Sequence, residues 1–112
     1  MSAPRMLHPL MLETPERVAD GMGGYRMLWH RLGIVHARMQ AGTGAERAGE
    51  IGAESVVRWR ITLRAAREGD PRRPRPEQRF RMGARLFHID AVAEADAAGR
   101  WLECLAREVR VA

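Results

Sequence analysis

The chain has 112 residues, the size of one domain that can bury a core without disulfides or metals. Its 19 basic residues are all arginines and face 14 acids, and a hydrophobic content of 46% excludes wholesale disorder. No apolar run approaches the roughly 18 residues of a membrane span, and the interrupted N-terminal stretch predicts no signal peptide. Cys104 is the only cysteine, which rules out an intrachain disulfide and fits a reducing compartment.

The N-terminal part of the chain predicts two strands joined by a turn. Residues 6–13 alternate in the manner of a strand, and Pro9 favours an edge position or a start after it. Residues 20–24 include three glycines in four positions and predict a tight turn. A phosphate-binding loop is the alternative, but residues 25–29 show no helix start to complete it. Residues 29–40 predict the second main strand.

Residues 41–54 differ in composition from the strands on either side. They mix four glycines with alanine, glutamate and arginine, and contain too few apolar side chains to lie in a core. At about 14 residues the segment exceeds the usual loop length, and such loops are often functional or disordered. We therefore predict a flexible loop, which could include one helical turn over residues 45–48.

The next segment, residues 56–67, has the clearest periodicity in the chain. One set of alternate positions is apolar and consists of Val57, Trp59, Ile61 and Leu63. The other set consists of Arg58, Arg60, Thr62 and Arg64. Successive side chains of a strand point to opposite faces, so this alternation predicts a half-buried strand. We expect its apolar side in the core and its arginines facing water, acids or phosphates.

The positive charge is concentrated in one part of the chain. Residues 56–85 carry ten arginines against three acids, whereas the remainder carries nine arginines against eleven acids. A basic zone of this kind suits a polyanion or an acidic protein partner. A solvated face without a partner is the alternative interpretation.

The C-terminal half predicts a connection and three more strands. Residues 68–77 alternate prolines with arginines and predict a stiff, exposed connection, with a polyproline ligand as the alternative. Residues 78–82, 85–93 and 101–107 predict strands, the second with Phe87, Ile89 and Ala91 on one face, and a turn at 96–99 precedes the last. About six strands and no helix predict an all-β fold, a small antiparallel barrel or sandwich.

The residues that carry chemistry form no recognisable active site. The four histidines are not spaced like zinc ligands; they are His8, His30, His36 and His88. Cys104 lies in an apolar strand and is interpreted as a small buried hydrophobe. The acids near one hairpin, Asp90, Glu94 and Asp96, are interpreted as solubilising groups. We therefore predict neither an enzyme nor a bound cofactor or metal.

Nucleic-acid binding by a small barrel is the second functional hypothesis. Such surfaces combine positive charge with aromatic platforms for the bases, and Trp59 and Phe80 lie near the basic zone. The alternation places Trp59 in the core, however, which argues against base stacking. Sequence-independent contact with phosphates remains open.

The order of these segments resembles a known phage family. The segments are LMLETPERVADGMGGY followed by Leu28 and Trp29, then IVHARM, a Gly/Glu-rich loop, VRWRITLR, QRFRMGARLFHIDAVAE and GRWLECLARE. They are similar to the head–tail joining proteins, also called stoppers or head-closure proteins, of long-tailed phages and gene transfer agents. The resemblance covers about residues 10–108. His36 departs from it, because a bulky aromatic is expected at that position.

The resemblance implies a single β-barrel domain over residues 1–112, with the long loop between its second and third main strands. It also implies a structural component of a virion or phage-like particle, present in the bacterial cytoplasm before assembly. Six copies would form a ring between the portal-bound adaptor protein and the tail terminator protein. Packaged double-stranded DNA would pass through this ring, which would help to close the channel. A free-standing nucleic-acid-binding barrel is the alternative.

Two sets of residues follow from this interpretation. The loop residues expected at an interface or in the channel are Gly42, Thr43, Gly44, Glu46, Arg47 and Glu50. The arginines expected to contact a partner protein or DNA phosphates are Arg58, Arg60, Arg64, Arg72, Arg73 and Arg75. We favour protein contact for the arginines, because tight DNA binding would impede ejection.

Overall fold

Six antiparallel strands form one closed, ring-like sheet. The computed structural model describes residues 7–49 and 52–111. Its strands are β1 (His8–Ala19), β2 (Tyr25–Gly49), β3 (Gly52–Arg64), β4 (Arg79–Met82), β5 (Arg85–Glu94) and β6 (Trp101–Val111). They close into a barrel in the order β1-β2-β3-β6-β5-β4, and the described residues contain no helix. The predicted all-β barrel of about six strands is confirmed.

All six strands contribute side chains to the core. Its buried members are Leu10, Leu12, Ala37, Ile61, Leu63, Phe80, Phe87, Ile89, Leu102, Cys104 and Ala106. Phe80 and Phe87 lie directly opposite each other on β4 and β5 and are fully buried. Burial of each such side chain contributes roughly 1.5–3 kcal/mol. His36, which departs from the family pattern, is exposed on β2 and therefore takes no part in this core.

The predicted inward positions of β3 are confirmed for Ile61 and Leu63, which are buried. Trp59 is half-buried and packs against the core, with its ring edge-on to Phe87 at a centroid distance of 5.7 Å. Val57 is only half-buried, and Val56 is buried instead. This end of β3 lies beside a bulge in β2, where the pairing of the two strands shifts register between Ala41 and Gly44.

Residues 41–49 and 52–57 form the end of a long hairpin, so the prediction of an irregular loop with a helical turn is wrong. β2 and β3 stay paired from Gly44 opposite Val57 to Gly49 opposite Gly52. The ladder continues because β3 is held on its other side by β6, as far as Glu54 opposite Val111. The flexibility of this hairpin stays a prediction, and its residues 50 and 51 lie outside the described residues.

The turn over residues 20–24 is confirmed, and it joins strands longer than those predicted. One carboxylate oxygen of Asp20 accepts hydrogen bonds from the backbone N–H groups of Met22 (2.7 Å) and Gly24 (3.0 Å). Gly21 and Gly23 have φ angles of 80° and 85°, which residues with a side chain rarely adopt. The β1–β2 hairpin therefore reaches up to Ala19 and Tyr25 without an intervening loop.

A bulge in β5 corrects one predicted inward position. The pairing of β5 with β6 shifts register between Ile89 and Ala91. Because one extra residue reverses which side chains face inward, Ala91 is exposed and the half-buried Val92 packs against the core. The sequence carries no glycine or proline at this point to reveal the bulge.

Candidate functional site

The three β3 arginines, Arg58, Arg60 and Arg64, form a row on the outside of the barrel. All three are exposed, as the alternation predicts. Arg60 pairs with Glu103 of the neighbouring strand β6 at 3.3 Å. The guanidinium carbon of Arg64 lies 5.5 Å from the centre of the Trp101 ring. The row is thus solvent-accessible and only partly neutralised.

Arg58 lies in a like-charged environment. It pairs directly with Arg107 across the β3–β6 ladder, and the Arg107 side chain forms an ion pair with Asp90 at 2.9 Å. Among the side chains that the structure describes, which leave out residues 43–54, none forms an ion pair with Arg58. Like charges directly opposite each other destabilise a sheet slightly, so an acid that approaches Arg58 would relieve this repulsion.

The connection between β3 and β4 carries Arg72, Arg73 and Arg75. The connection is as predicted, but Pro74 is fully buried, so the segment is not wholly solvated. Arg73 donates a hydrogen bond to the backbone carbonyl of Ala66 at 2.7 Å and thereby stabilises the connection. Arg72 and Arg75 are exposed and remain candidates for contact with a partner.

Gly33 leaves room for the side chain of Arg72. At φ 145° this glycine lies below the Arg72 side chain, and a Cβ at Gly33 would come within 3.1 Å of the Arg72 Cδ. A side chain at residue 33 would therefore displace the arginine. The β1–β2 bulge falls near this glycine and therefore lies beside one of the predicted contact residues.

The predicted loop residues lie on the β2–β3 hairpin, apart from Glu50, which is outside the described residues. Gly42 and Thr43 lie in the β2 bulge, and Gly44, Glu46 and Arg47 pair with β3. A Cβ at Gly42 would come within 3.2 Å of the Arg58 carbonyl oxygen, so glycine permits this close approach. The structure thus brings Gly42 next to the arginine row, whereas the paired residues extend away along the hairpin.

A buried acid lies where β1 pairs with β4, and no sequence pattern indicated its burial. Glu13 is 3% exposed and accepts hydrogen bonds from Arg79 (2.7 Å) and Arg81 (3.1 Å). Burial by itself raises the pKa of Glu13, but the two guanidinium groups outweigh burial and hold the pKa below its usual value. Arg79 also stacks on Trp29, with 3.8 Å between its guanidinium carbon and the ring centre.

A second buried acid lies on β6. Glu108 is 3% exposed and forms a bidentate pair with Arg85 at 2.7 and 2.9 Å. It also accepts a hydrogen bond from the Trp59 indole at 3.1 Å. The Arg85 hydrogen bonds lower the pKa of Glu108 despite its burial. The carboxylates of Glu13 and Glu108 are both paired with arginines, which indicates that these acids have structural rather than catalytic roles.

The described residues contain no cluster of three or more potential metal ligands, and their cysteine is buried. Cys104 is fully buried, and burial raises its pKa to about 12, so the thiol stays protonated at neutral pH. Burial and the nearby Arg107 and Arg79 lower the pKa of His88. No helix in the described part of the chain could span a membrane.

Comparison with known proteins identifies the family of this chain. The profile of the phage head completion protein family matches residues 1–109. The chain belongs to this family. A chain of the native gene transfer agent virion particle is 54% identical, with a TM-score of 0.86, and the match covers 98% of this chain and 100% of that chain. No curated protein matches the chain. Head completion proteins are structural virion components, which agrees with exposed arginines and paired, buried acids.

Proposed function

We propose that this head completion protein is a non-enzymatic connector subunit of a virion or gene transfer agent particle. Six copies form a ring between the portal-bound adaptor and the tail terminator, and the ring helps to close the DNA channel. The observation that carries this proposal is the 54% identity, over 98% of the chain, to a component of a gene transfer agent virion. At this identity the fold is retained, so the same place in a particle is the simplest function.

The shape of the molecule supports a role as a ring subunit. Its principal extents are 53 × 34 × 24 Å, because the β1–β2 and β2–β3 hairpins both extend past the closed barrel. In a head-to-tail ring each subunit presents different surfaces to its two neighbours. One of these two hairpins can reach the channel. We assign the channel to the β2–β3 hairpin, through Gly42, Thr43, Gly44, Glu46, Arg47 and Glu50.

The exposed arginines provide the contacts beyond the ring. Arg58, Arg60, Arg64, Arg72 and Arg75 can pair with carboxylates of the adjoining rings or with phosphates of the passing DNA. Arginine is suited to both, because its planar guanidinium binds either group in a bidentate manner. Contact with DNA would be independent of base sequence and sensitive to salt.

Electron microscopy of particles tests the position and the copy number. We expect density for six copies at the head–tail junction. Density at another position in the particle would overturn the proposal. Particles that lack the protein are expected to lose their DNA, so normal DNA retention in such particles would also contradict it.

Shortening the β2–β3 hairpin tests its assignment to the channel. Removal of residues 46–53 should leave the barrel folded and the ring assembled, but the particles should leak DNA. The matched control removes residues 21–23 from the β1–β2 turn, which we do not assign to the channel. Equal DNA retention in both variants would refute the assignment.

DNA affinity separates the connector from a free-standing nucleic-acid-binding protein. The isolated connector should bind a 30-base-pair duplex weakly, whereas a dedicated binder should bind tightly with a steep dependence on salt. Submicromolar binding at physiological salt would favour the second function.

A further inference from the structure

His88 lies between two arginines on the outer face of the sheet, since its neighbours Phe87 and Ile89 face the core. It is directly opposite Arg79 on β4 and directly opposite Arg107 on β6. Side chains in such positions share a face, with their Cβ atoms roughly 4.5–5.5 Å apart, and like charges there destabilise a sheet. A proton on His88 would therefore create a row of three positive charges across β4, β5 and β6.

His88 also faces an aromatic ring and two acids. The Trp29 ring of β2 lies edge-on to the imidazole, with 6.2 Å between the ring centres. Asp90 follows two positions along β5 and forms an ion pair with Arg107 at 2.9 Å. Glu77 and His88 line the same depression of about 590 Å³. Because the imidazole is half-buried among these groups, water screens its charge only in part.

A second depression, of about 350 Å³, also borders His88. Its charged lining residues are Arg85, Glu108 and Arg110. Glu108 forms a bidentate pair with Arg85, whereas Arg110 is exposed. The single acid among the described residues of this lining is therefore already paired.

Burial and the flanking arginines disfavour a proton on His88 in the closed barrel. Burial, Arg107 and Arg79 lower the pKa of His88 from the ordinary value of 6.5 and outweigh Asp90, which raises it. When β4 separates from β5, the imidazole gains water and moves away from Arg79, so these effects weaken. An open state therefore binds a proton more readily than the closed barrel, and mild acid favours the open state.

β4 is the strand with the fewest paired positions. It has four residues and pairs with β1 at three positions and with β5 at four. The chain enters it through Glu77, whose φ angle of 74° is rarely adopted by residues with a side chain. Such strain persists only where surrounding contacts enforce it, and here the Glu77 N–H donates to the Ile89 carbonyl at 3.0 Å. A short strand with a strained entry is suited to local opening.

We propose that His88 is a pH-sensitive switch of the barrel closure, in which protonation of the imidazole releases β4 from β1 and β5. The charged imidazole repels Arg79, the residue that pairs with Glu13 across the closure and stacks on Trp29. Loss of the proton restores the closed sheet. The switch depends only on the barrel itself, so its failure would leave the connector function unaffected.

NMR titration of the His88 ring in the intact chain measures its protonation directly. We expect a midpoint below the ordinary value of 6.5. Arg107→Gln should raise this midpoint, because it removes one flanking charge and frees the Asp90 carboxylate. Arg60→Gln removes an exposed arginine of β3 and should leave the midpoint unchanged. A midpoint at or above 6.5, or equal midpoints in the two variants, would overturn the proposal.

Native-state hydrogen exchange tests the opening itself. After correction for the intrinsic exchange rate, opening of the β4 amides should increase several-fold, and at most about tenfold, for each unit of pH below 6.5. His88→Gln cannot be protonated and should remove this increase, whereas His36→Gln, at an exposed position of β2, should retain it. The β4 amides should also exchange faster than those of β6. Equal pH dependence in the two variants, or opening of β4 only together with β6, would contradict the proposal.

Discussion

Glu13 and Arg79 are 66 residues apart in the chain, yet they form the most deeply buried ion pair of the described residues, with a distance of 2.7 Å. Only 4% of the Glu13 side chain and 10% of the Arg79 side chain are exposed. The pair lies where β4 meets β1, and this junction is the shortest in the barrel, with three paired positions. A buried charge pair is thus placed at the closure with the fewest backbone hydrogen bonds.

Glu13→Gln should destabilise the protein by about 3–5 kcal/mol, because it leaves the Arg79 charge buried without a partner. Urea denaturation measures the change in the free energy of unfolding. Glu16→Gln is the matched control, because the Glu16–His30 pair is half exposed and should contribute less than about 1 kcal/mol. Similar losses in both variants would mean that the closure does not depend on the buried pair.

Acid should destabilise the protein through Glu13 and Glu108. Their pKa values are lowered in the folded state, so their contribution is fully present above the unfolded value of 4.5 and is lost as the pH falls through the lower folded values. Thermal unfolding measured from neutral pH downwards should show this loss. Glu13→Gln with Glu108→Gln should flatten the acid limb, and an unchanged limb would assign the loss to other carboxylates.

Trp59→Ala should destabilise the fold by about 3 kcal/mol, near the lower end for a tryptophan, because the side chain is half-buried. The loss combines the contact with Phe87 and the hydrogen bond to Glu108. Trp101→Ala serves as the comparison, and we expect it to cost less than about 1 kcal/mol because its ring lies on the outer surface. A loss below about 1 kcal/mol for Trp59→Ala would show that this residue is not part of the core.

The Cys104 thiol should be inert in the folded protein. It is fully buried with a pKa of about 12, and the thiolate is the reactive form. A disulfide reagent such as DTNB should label it at a rate set by unfolding, and rapidly in denaturant. Labelling of native protein at the rate of the unfolded chain would contradict the burial of Cys104.

Particular elements show which structural features could be predicted from the sequence. The part of β3 from Arg58 to Arg64 is predicted in position and in orientation, because its alternation reflects the geometry of each residue and its neighbours. The Asp20–Gly24 turn was predicted for the same local reason. The β2–β3 hairpin was not predicted, since its glycine-rich residues carry no strand alternation and its pairing partner on the other side of β3, the strand β6, is distant in the sequence.

The sequence alone determined that the chain makes strands, which side of β3 faces inward, and the family to which the chain is similar. The tertiary structure decided which distant residues meet: Glu13 with Arg79, Glu108 with Arg85 and Trp59, and Arg64 with Trp101. The physical reason is that alternation is a property of a single strand, whereas the partners of a side chain depend on how the ring of strands closes.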